Sequence, residues 1–128
     1  MEFPRSRGFT LIEMLMVVVI IGILVTVLIP RFANTKEKAI VTTMKSDLRN
    51  LASAEESYYY DYAIYTSSLA GLPSYQTSPS VTVTVNQATQ GGWAATARSS
   101  GVTRQCYLFV GSATPVGSAT QEGQVACD

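Results

Sequence analysis

The sequence predicts an α+β fold, in which one long N-terminal helix packs on a small antiparallel sheet. Three observations support this class. An apolar run lies near the N-terminus, a stripe of apolar residues at helical spacing follows it, and short strand-like stretches occur in the second half. With 128 residues, the chain is long enough for one modest core.

The charge and histidine content narrow the range of functions. The chain has 9 basic residues, 9 acidic residues and no histidine, so it lacks the commonest general base and the commonest metal ligand. Its neutral total gives no overall attraction to nucleic acid. The composition therefore argues against a histidine-dependent enzyme. We expect no cofactor and no bound metal, and direct nucleic-acid binding is disfavoured.

The apolar run is long enough to cross a membrane. Residues 14–29 carry no charge, and extension back to Phe9 gives 21 residues interrupted only by Glu13. At about 1.5 Å per residue they span roughly 30 Å, the thickness of the hydrocarbon core of a bilayer. A cleaved secretory signal peptide is the alternative. Its apolar stretch is usually about 7–15 residues long and ends at a small-residue site, which residues 30–34 do not provide.

Charges on the two sides of this run indicate its orientation. Arg5 and Arg7 favour a cytoplasmic N-terminus. On the other side, four basic residues follow: Arg31, Lys36, Lys38 and Lys45. Long translocated domains largely escape the positive-inside bias. We therefore expect a single-pass protein of the inner membrane, in contact with membrane lipid, whose C-terminal domain lies outside the cytoplasm.

A short motif opens the apolar run. Residues 7–13 read Arg-Gly-Phe-Thr-Leu-Ile-Glu and follow a short charged leader. This arrangement resembles the class III signal of type IV prepilins and pseudopilins. The resemblance implies a type IV pilin-like fold. It also implies that a membrane-embedded prepilin peptidase cuts between Gly8 and Phe9 and methylates the new Phe9 amine.

Glu13 is an unfavourable residue within an apolar run. A carboxylate in hydrocarbon costs on the order of 3 kcal/mol, and one interpretation is that Glu13 snorkels to the headgroups from near the helix end. The resemblance implies another: Glu13 of an incoming subunit pairs with the Phe9 amine of a subunit already in a filament. The cut would create that amine four residues away on the same helical face. We therefore expect both residues to act in subunit assembly, and the chain to form a homopolymer with the help of a pilus or secretion machinery in the inner membrane.

An amphipathic helix is predicted to follow the apolar run. Pro30 lacks an amide donor and is expected to end or kink the apolar segment, with Gly22 as a second weak point. Beyond Pro30, a stripe of apolar residues recurs to about residue 62, skips Glu55, and leaves Asp47 among the charged residues of the other faces. Its members are Ile40, Met44, Leu48, Leu51, Tyr58 and Tyr62. We expect this stripe to pack on the chain's own sheet.

Three strand-like stretches follow a loop rich in Ser, Gly, Pro and Thr. They are residues 81–85, which alternate strictly between apolar and polar, 92–97 and 105–110. We expect an antiparallel meander that covers the helix stripe, with Trp93 in the core or at its edge.

The predicted elements divide the chain into four parts. Residues 1–8 are a leader that the peptidase removes, and residues 9–30 are a membrane and filament-core helix. Residues 31–62 are the amphipathic continuation of that helix. Residues 63–128 are a loop-and-sheet region with a disulfide-closed C-terminus.

Cys106 and Cys127 are the only cysteines of the sequence. An exported domain meets an oxidising environment, so we expect a disulfide between them, with paired free thiols as the alternative. Such a bridge resembles the C-terminal disulfide-bounded region of many type IV pilins. Major pseudopilins of type II secretion usually end instead in an acidic calcium-binding loop, and the acidic residues near this C-terminus are too few for one.

These features favour a structural subunit of a type IV pilus, which the resemblance links to adhesion, twitching motility or DNA uptake at the cell surface. The alternative within the same family is the major pseudopilin of a type II secretion system. A membrane-anchored enzyme is disfavoured, because the sequence contains no nucleophile–base pair, phosphate-binding loop or metal-ligand cluster.

Overall fold

The computed structural model describes residues 8–128. The remaining residues, with Arg5, Arg7 and most of the expected leader, lie outside the described part of the chain. The chain divides into two compact units, one up to Thr35 and one from Lys36 to Asp128. The first is helical, and the second contains the rest of the helix and the sheet.

One helix, α1, runs from Leu11 to Tyr62 and contains 52 residues. It confirms the predicted long N-terminal helix and begins two residues later than predicted. Pro30 lies inside α1, so the proline does not end the helix. Its missing amide donor still favours a bend, and a kink at Pro30 or Gly22 remains a prediction.

The first unit exposes its apolar side chains to the surroundings. Between Leu11 and Ile29, each large apolar side chain is between 43% and 83% exposed. This part of α1 is long and apolar enough to cross a membrane. An uncovered apolar surface of this extent is unfavourable in water, so lipid or other apolar helices are the environment that it fits.

In the second unit, α1 packs one face on the sheet. The buried apolar side chains of this face are Val41, Met44, Leu48, Leu51 and Ala54. Three of them belong to the predicted stripe, which confirms that the stripe packs on the chain's own sheet.

The ends of the predicted stripe are less covered. Ile40 and Tyr58 are partly buried, and Tyr62 is 65% exposed. Tyr62 is the last residue of α1, and its ring packs on the Tyr58 ring with the centroids 4.5 Å apart. The stripe therefore ends in a tyrosine pair at the surface instead of in the core.

Asp47 is buried, so its predicted position on an outer face of the helix is wrong. Its side chain is 3% exposed and accepts hydrogen bonds from the Ser78 amide and the Ser78 hydroxyl, each 2.9 Å long. Hydrogen bonds of this kind replace the water that a carboxylate loses on burial. The two hydrogen bonds between Asp47 and Ser78 attach the loop before the sheet to α1.

Glu55 occupies the skipped position of the stripe and is fully buried. Its Oε2 accepts a 3.0 Å hydrogen bond from the Thr66 amide, whereas its Oε1 has no partner among residues 8–128. Burial raises the pKa of Glu55, and the charge of Glu56 adds to this effect, while the bond from Thr66 opposes it. Glu55 thus fixes the loop after α1, but its charged form is unfavourable there.

We expect Glu55→Gln to gain stability relative to the wild type as the pH rises. Since the pKa is raised by folding, the folded state binds this proton more tightly than the unfolded state. The stabilisation is complete below the ordinary value of 4.5 and is lost as the pH rises through the folded value. Glutamine keeps an acceptor for the Thr66 amide and removes the charge. Thermal unfolding of the detergent-solubilised chain from about pH 4 to pH 8 measures the difference.

Asp128→Asn is a control for Glu55→Gln, because its effect on stability should change with pH in the opposite direction. The Gln105 amide and then the Tyr107 hydroxyl hold the pKa of Asp128 below its ordinary value of 3.8. Its contribution is present above that value and is lost as the pH falls through the folded value. Asp128→Asn should therefore lose stability relative to the wild type as the pH rises toward the ordinary value of 3.8, with no further change above about pH 5. A Glu55→Gln difference that does not change with pH would contradict the raised pKa.

Four antiparallel strands form one sheet in the order β1-β2-β3-β4. The strands are β1 (Val81–Ala88), β2 (Gly92–Ser99), β3 (Cys106–Gly111) and β4 (Ala126–Cys127). The three predicted strands are confirmed with small shifts of their bounds. The prediction misses β4, because two residues are too few to show an alternating pattern.

The sheet is covered on both faces, whereas the prediction has a core on one face alone. On the face toward α1, Trp93 is fully buried, as expected. On the other face, a second cluster consists of Ala94, Phe109, Ala113 and Ala119. The segment after β3 therefore folds back across the outer face of the sheet.

Candidate assembly site

The expected cleavage bond lies just before α1. Gly8 and Phe9 are outside the helix, and the Phe9 side chain is 74% exposed. A Cβ on Gly8 would meet no heavy atom of the described residues within 4 Å. The fold therefore has room for a side chain at position 8, and a requirement for glycine there would come from a binding partner.

Thr10 and Glu13 form a capping box at the start of α1. The Thr10 amide and hydroxyl each donate a 2.9 Å hydrogen bond to Glu13 Oε2, and the Glu13 amide donates to Thr10 Oγ1 at 3.3 Å. The arrangement satisfies amides that the start of a helix otherwise leaves without partners. The spacing Thr-x-x-Glu is the sequence signal of this motif, and a prediction based on the apolar run overlooks it.

The capping box positions the Glu13 carboxylate next to the expected cleavage bond. The carboxylate lies in the first turn of α1, where the positive end of the helix dipole favours a negative charge. Cleavage before Phe9 would create an amine within about one helical turn of Glu13. Of the expected assembly pair, Glu13 thus lies in the first turn of α1 and Phe9 just before it.

Cys106 and Cys127 form a disulfide, which confirms the prediction against paired free thiols. The S–S distance is 2.02 Å, and the Cα atoms are 4.1 Å apart because the two residues face each other on β3 and β4. The bridge closes the segment that covers the outer face of the sheet.

Hydrogen bonds beside the disulfide reinforce this closure. The Asp128 carboxylate accepts from the Gln105 amide at 2.9 Å and from the Tyr107 hydroxyl at 3.0 Å, and the Arg104 guanidinium donates to the Asp128 carbonyl. Asp128 is thus engaged in holding the chain. Within residues 8–128, no group of three or more His, Cys, Asp or Glu side chains is placed to hold a metal ion.

Known proteins are similar to this chain both in the motif and over a large part of its sequence. Residues 3–29 match the family described as the prokaryotic N-terminal methylation motif. The chain is 40% identical over 77 residues to type II secretion system core protein G of Pectobacterium carotovorum subsp. carotovorum, a match that covers 60% of this chain and 49% of that protein. It is 35% identical over 89 residues to the protein of the same name from Klebsiella pneumoniae, with coverage of 70% and 64%.

A pilin is also among the similar proteins. The type IV major pilin protein PilA of Myxococcus xanthus (strain DK1622) is 40% identical over 63 residues, which are 49% of this chain and 29% of that pilin. The chain spans about half to two thirds of the length of the type II secretion proteins that it matches. The methylation motif, these relatives and the fold of one long helix on an antiparallel sheet all agree with the type IV pilin and pseudopilin family.

Proposed function

We propose that the chain is a filament subunit of the pseudopilin type, polymerised from the inner membrane by a type II secretion machinery. The extent of the similarity supports this choice over a pilus. The match to the Klebsiella pneumoniae protein covers 89 residues, so it extends past the end of α1 at Tyr62 into the loop-and-sheet region. The match to the Myxococcus xanthus pilin covers 63 residues, which is about the length of the chain up to that point.

Assembly in this proposal begins with cleavage at the membrane. Prepilin peptidase cuts between Gly8 and Phe9 and methylates the Phe9 amine. The exposed apolar part of α1 anchors the subunit in lipid, with its N-terminus in the cytoplasm and its second unit outside. The same apolar surface then packs on other copies in the filament core, because identical apolar helices can replace the lipid around it.

Glu13 exchanges one partner for another during assembly. In the single chain, its carboxylate accepts hydrogen bonds from the Thr10 amide and hydroxyl. In the filament, it pairs with the Phe9 amine of a neighbouring copy. Hydrogen bonds between two charged groups are stronger than those from neutral donors. The charge pair also offsets the unfavourable burial of each group in an apolar bundle.

A type IV pilus subunit is the second candidate, and the disulfide favours it. The bridge between Cys106 and Cys127 closes the C-terminal segment over the sheet. This closure resembles the disulfide-bounded C-terminal region of many type IV pilins. In that case, the filament is a surface fibre that supports adhesion, twitching motility or DNA uptake.

Mass spectrometry of the mature protein tests the processing step that both candidates share. In cells that contain the peptidase, the chain should begin at a methylated Phe9. In a strain without the peptidase, it should retain residues 1–8. A chain that starts at Met1 in peptidase-positive cells would contradict the proposed processing.

Deletion of the gene, combined with imaging of sheared fibres, separates the two candidates. For a pseudopilin, we expect the loss of protein secretion across the outer membrane and an unchanged number of long surface fibres. For a pilus subunit, we expect the loss of long fibres that contain this chain, with secretion intact. The second result would overturn the pseudopilin assignment.

A further inference from the structure

A row of charges follows one face of α1 in the second unit. Lys38, Lys45, Arg49 and Glu56 are separated by seven, four and seven residues, which places them above one another on a helix. Lys38, Arg49 and Glu56 are exposed and Lys45 is partly exposed, whereas the buried residues of α1 lie on the face toward the sheet. The row therefore faces away from the protein core.

The charges of the row lack oppositely charged neighbours at the spacings where helical side chains pair. No acidic residue lies three or four positions before or after Lys38, Lys45 or Arg49, and no basic residue lies at these spacings from Glu56. At these spacings, the charged pair in the row is Lys45 with Arg49, and two like charges there destabilise an isolated helix. The stability of the folded chain therefore does not explain the row.

The charges are also separated along the helix axis. The three basic residues lie toward the N-terminal end of the row, and Glu56 lies at the other end. The Tyr65 hydroxyl donates a 3.0 Å hydrogen bond to Glu56 Oε1, and the Tyr65 ring stacks on that of Tyr59 with the centroids 4.6 Å apart. This contact positions the Glu56 carboxylate while leaving it exposed.

We propose that the row is an interface between copies of this chain, in which Glu56 of one copy lies beside Arg49 and Lys45 of a parallel, axially displaced second copy. Along the axis, Glu56 is about 10 Å from Arg49 and about 17 Å from Lys45, so a displacement in this range aligns opposite charges. Without displacement, equal charges lie side by side. The row thus favours a stagger of about 10–17 Å between the two copies.

This inference rests on the proposed function, because it requires parallel copies in a filament. The proposed pair of Glu13 with a Phe9 amine likewise requires copies that are displaced along the axis, because Phe9 precedes Glu13 by four positions in the same chain.

Exchange of the two charges tests the interface in the full chain, expressed with its peptidase and assembly machinery. Arg49→Glu alone and Glu56→Arg alone should each reduce the amount of assembled filament, counted in the membrane and surface fractions together, by about tenfold or more, because each places like charges together. The chain with both substitutions should recover to within about twofold of the wild type, since the opposite charges again meet. Arg98→Glu is the matched control, because it makes the same charge reversal at an exposed residue of β2. It should leave filament amounts unchanged.

Two outcomes of the charge exchange would overturn the proposal. One is wild-type filament amounts in both single variants. The other is a loss in both that the double variant does not recover, as expected if the basic residues bind anionic lipid headgroups instead of a second copy. Thermal unfolding of each variant shows whether a loss of filaments comes from a loss of folding.

Cysteine cross-linking tests the same contact without charge reversal. Positions 49 and 56 of one chain are about 10 Å apart along the axis, beyond the Cα separation of about 7 Å that a disulfide allows. Oxidation of filaments that carry Arg49→Cys with Glu56→Cys should therefore give a ladder of covalent oligomers, and the control Arg49→Cys with Arg98→Cys should give none. Intact filaments without the ladder would overturn the interface. If the chain is not a filament subunit of either kind, the wild type forms no filaments under the same conditions, which is a distinct result.

Discussion

Glu13→Ala should abolish filament assembly while membrane insertion and cleavage before Phe9 continue. Removal of a carboxylate from an apolar segment makes insertion more favourable. In the filament, the variant leaves the Phe9 amine without its partner, and an uncompensated charge in an apolar bundle costs about 3–5 kcal/mol. Membrane fractionation, mass spectrometry of the mature chain and the amount of assembled filament in the membrane and surface fractions measure the three steps separately.

Thr10→Ala is the matched control for Glu13→Ala, because it separates the two roles of the carboxylate. It removes the hydroxyl from the capping box and leaves Glu13 free to pair with an amine. If Glu13 acts only as a helix cap, the two variants should lose assembly to the same degree. We expect Thr10→Ala to assemble, and wild-type filaments from Glu13→Ala would remove Glu13 from the mechanism.

Replacement of both Cys106 and Cys127 by serine should lower the free energy of unfolding by about 3 kcal/mol. The two cysteines are 21 residues apart in sequence, and a bridge that closes a loop of this length restricts the unfolded chain by about that amount. The closed segment carries Ala113 and Ala119, which cover Phe109 on the outer face of the sheet. We therefore expect the outer cluster to loosen as well. Denaturant unfolding of the detergent-solubilised chain measures the change.

Reduction of the wild type is the control for the disulfide prediction. A reducing agent should lower the stability of the wild type toward that of the double serine variant and should leave the variant unchanged. Equal unfolding midpoints for the oxidised wild type and the variant would show that the bridge does not stabilise the fold.

The apolar side of α1 illustrates how far the sequence pattern reaches. Met44, Leu48 and Leu51 recur at helical spacing, and all three are fully buried. Asp47 and Glu55 break the pattern and are buried as well. Their burial depends on hydrogen bonds from residues 31 and 11 positions away, which a helical repeat does not contain.

The candidate site shows the same division between local and distant features. The motif at Gly8, Phe9 and Glu13 is continuous in sequence, so it can be recognised without a structure. The capping box is just as local, and its spacing was available to prediction. The charge row is also present in the sequence, but its exposure depends on which face of α1 the sheet covers, and that is a tertiary contact.

Local patterns were sufficient to predict the membrane-length apolar run, the amphipathic helix, the three longer strands and the pairing of Cys106 with Cys127. Each depends on residues close together in the chain or, for the disulfide, on there being a single possible partner. Tertiary structure decided which acidic side chains turn inward and that the C-terminal segment covers the outer face of the sheet. These outcomes depend on packing and hydrogen bonds between segments that are distant in the sequence. The periodicity of apolar residues predicts helices and strands, but it does not predict which distant residue a buried side chain contacts.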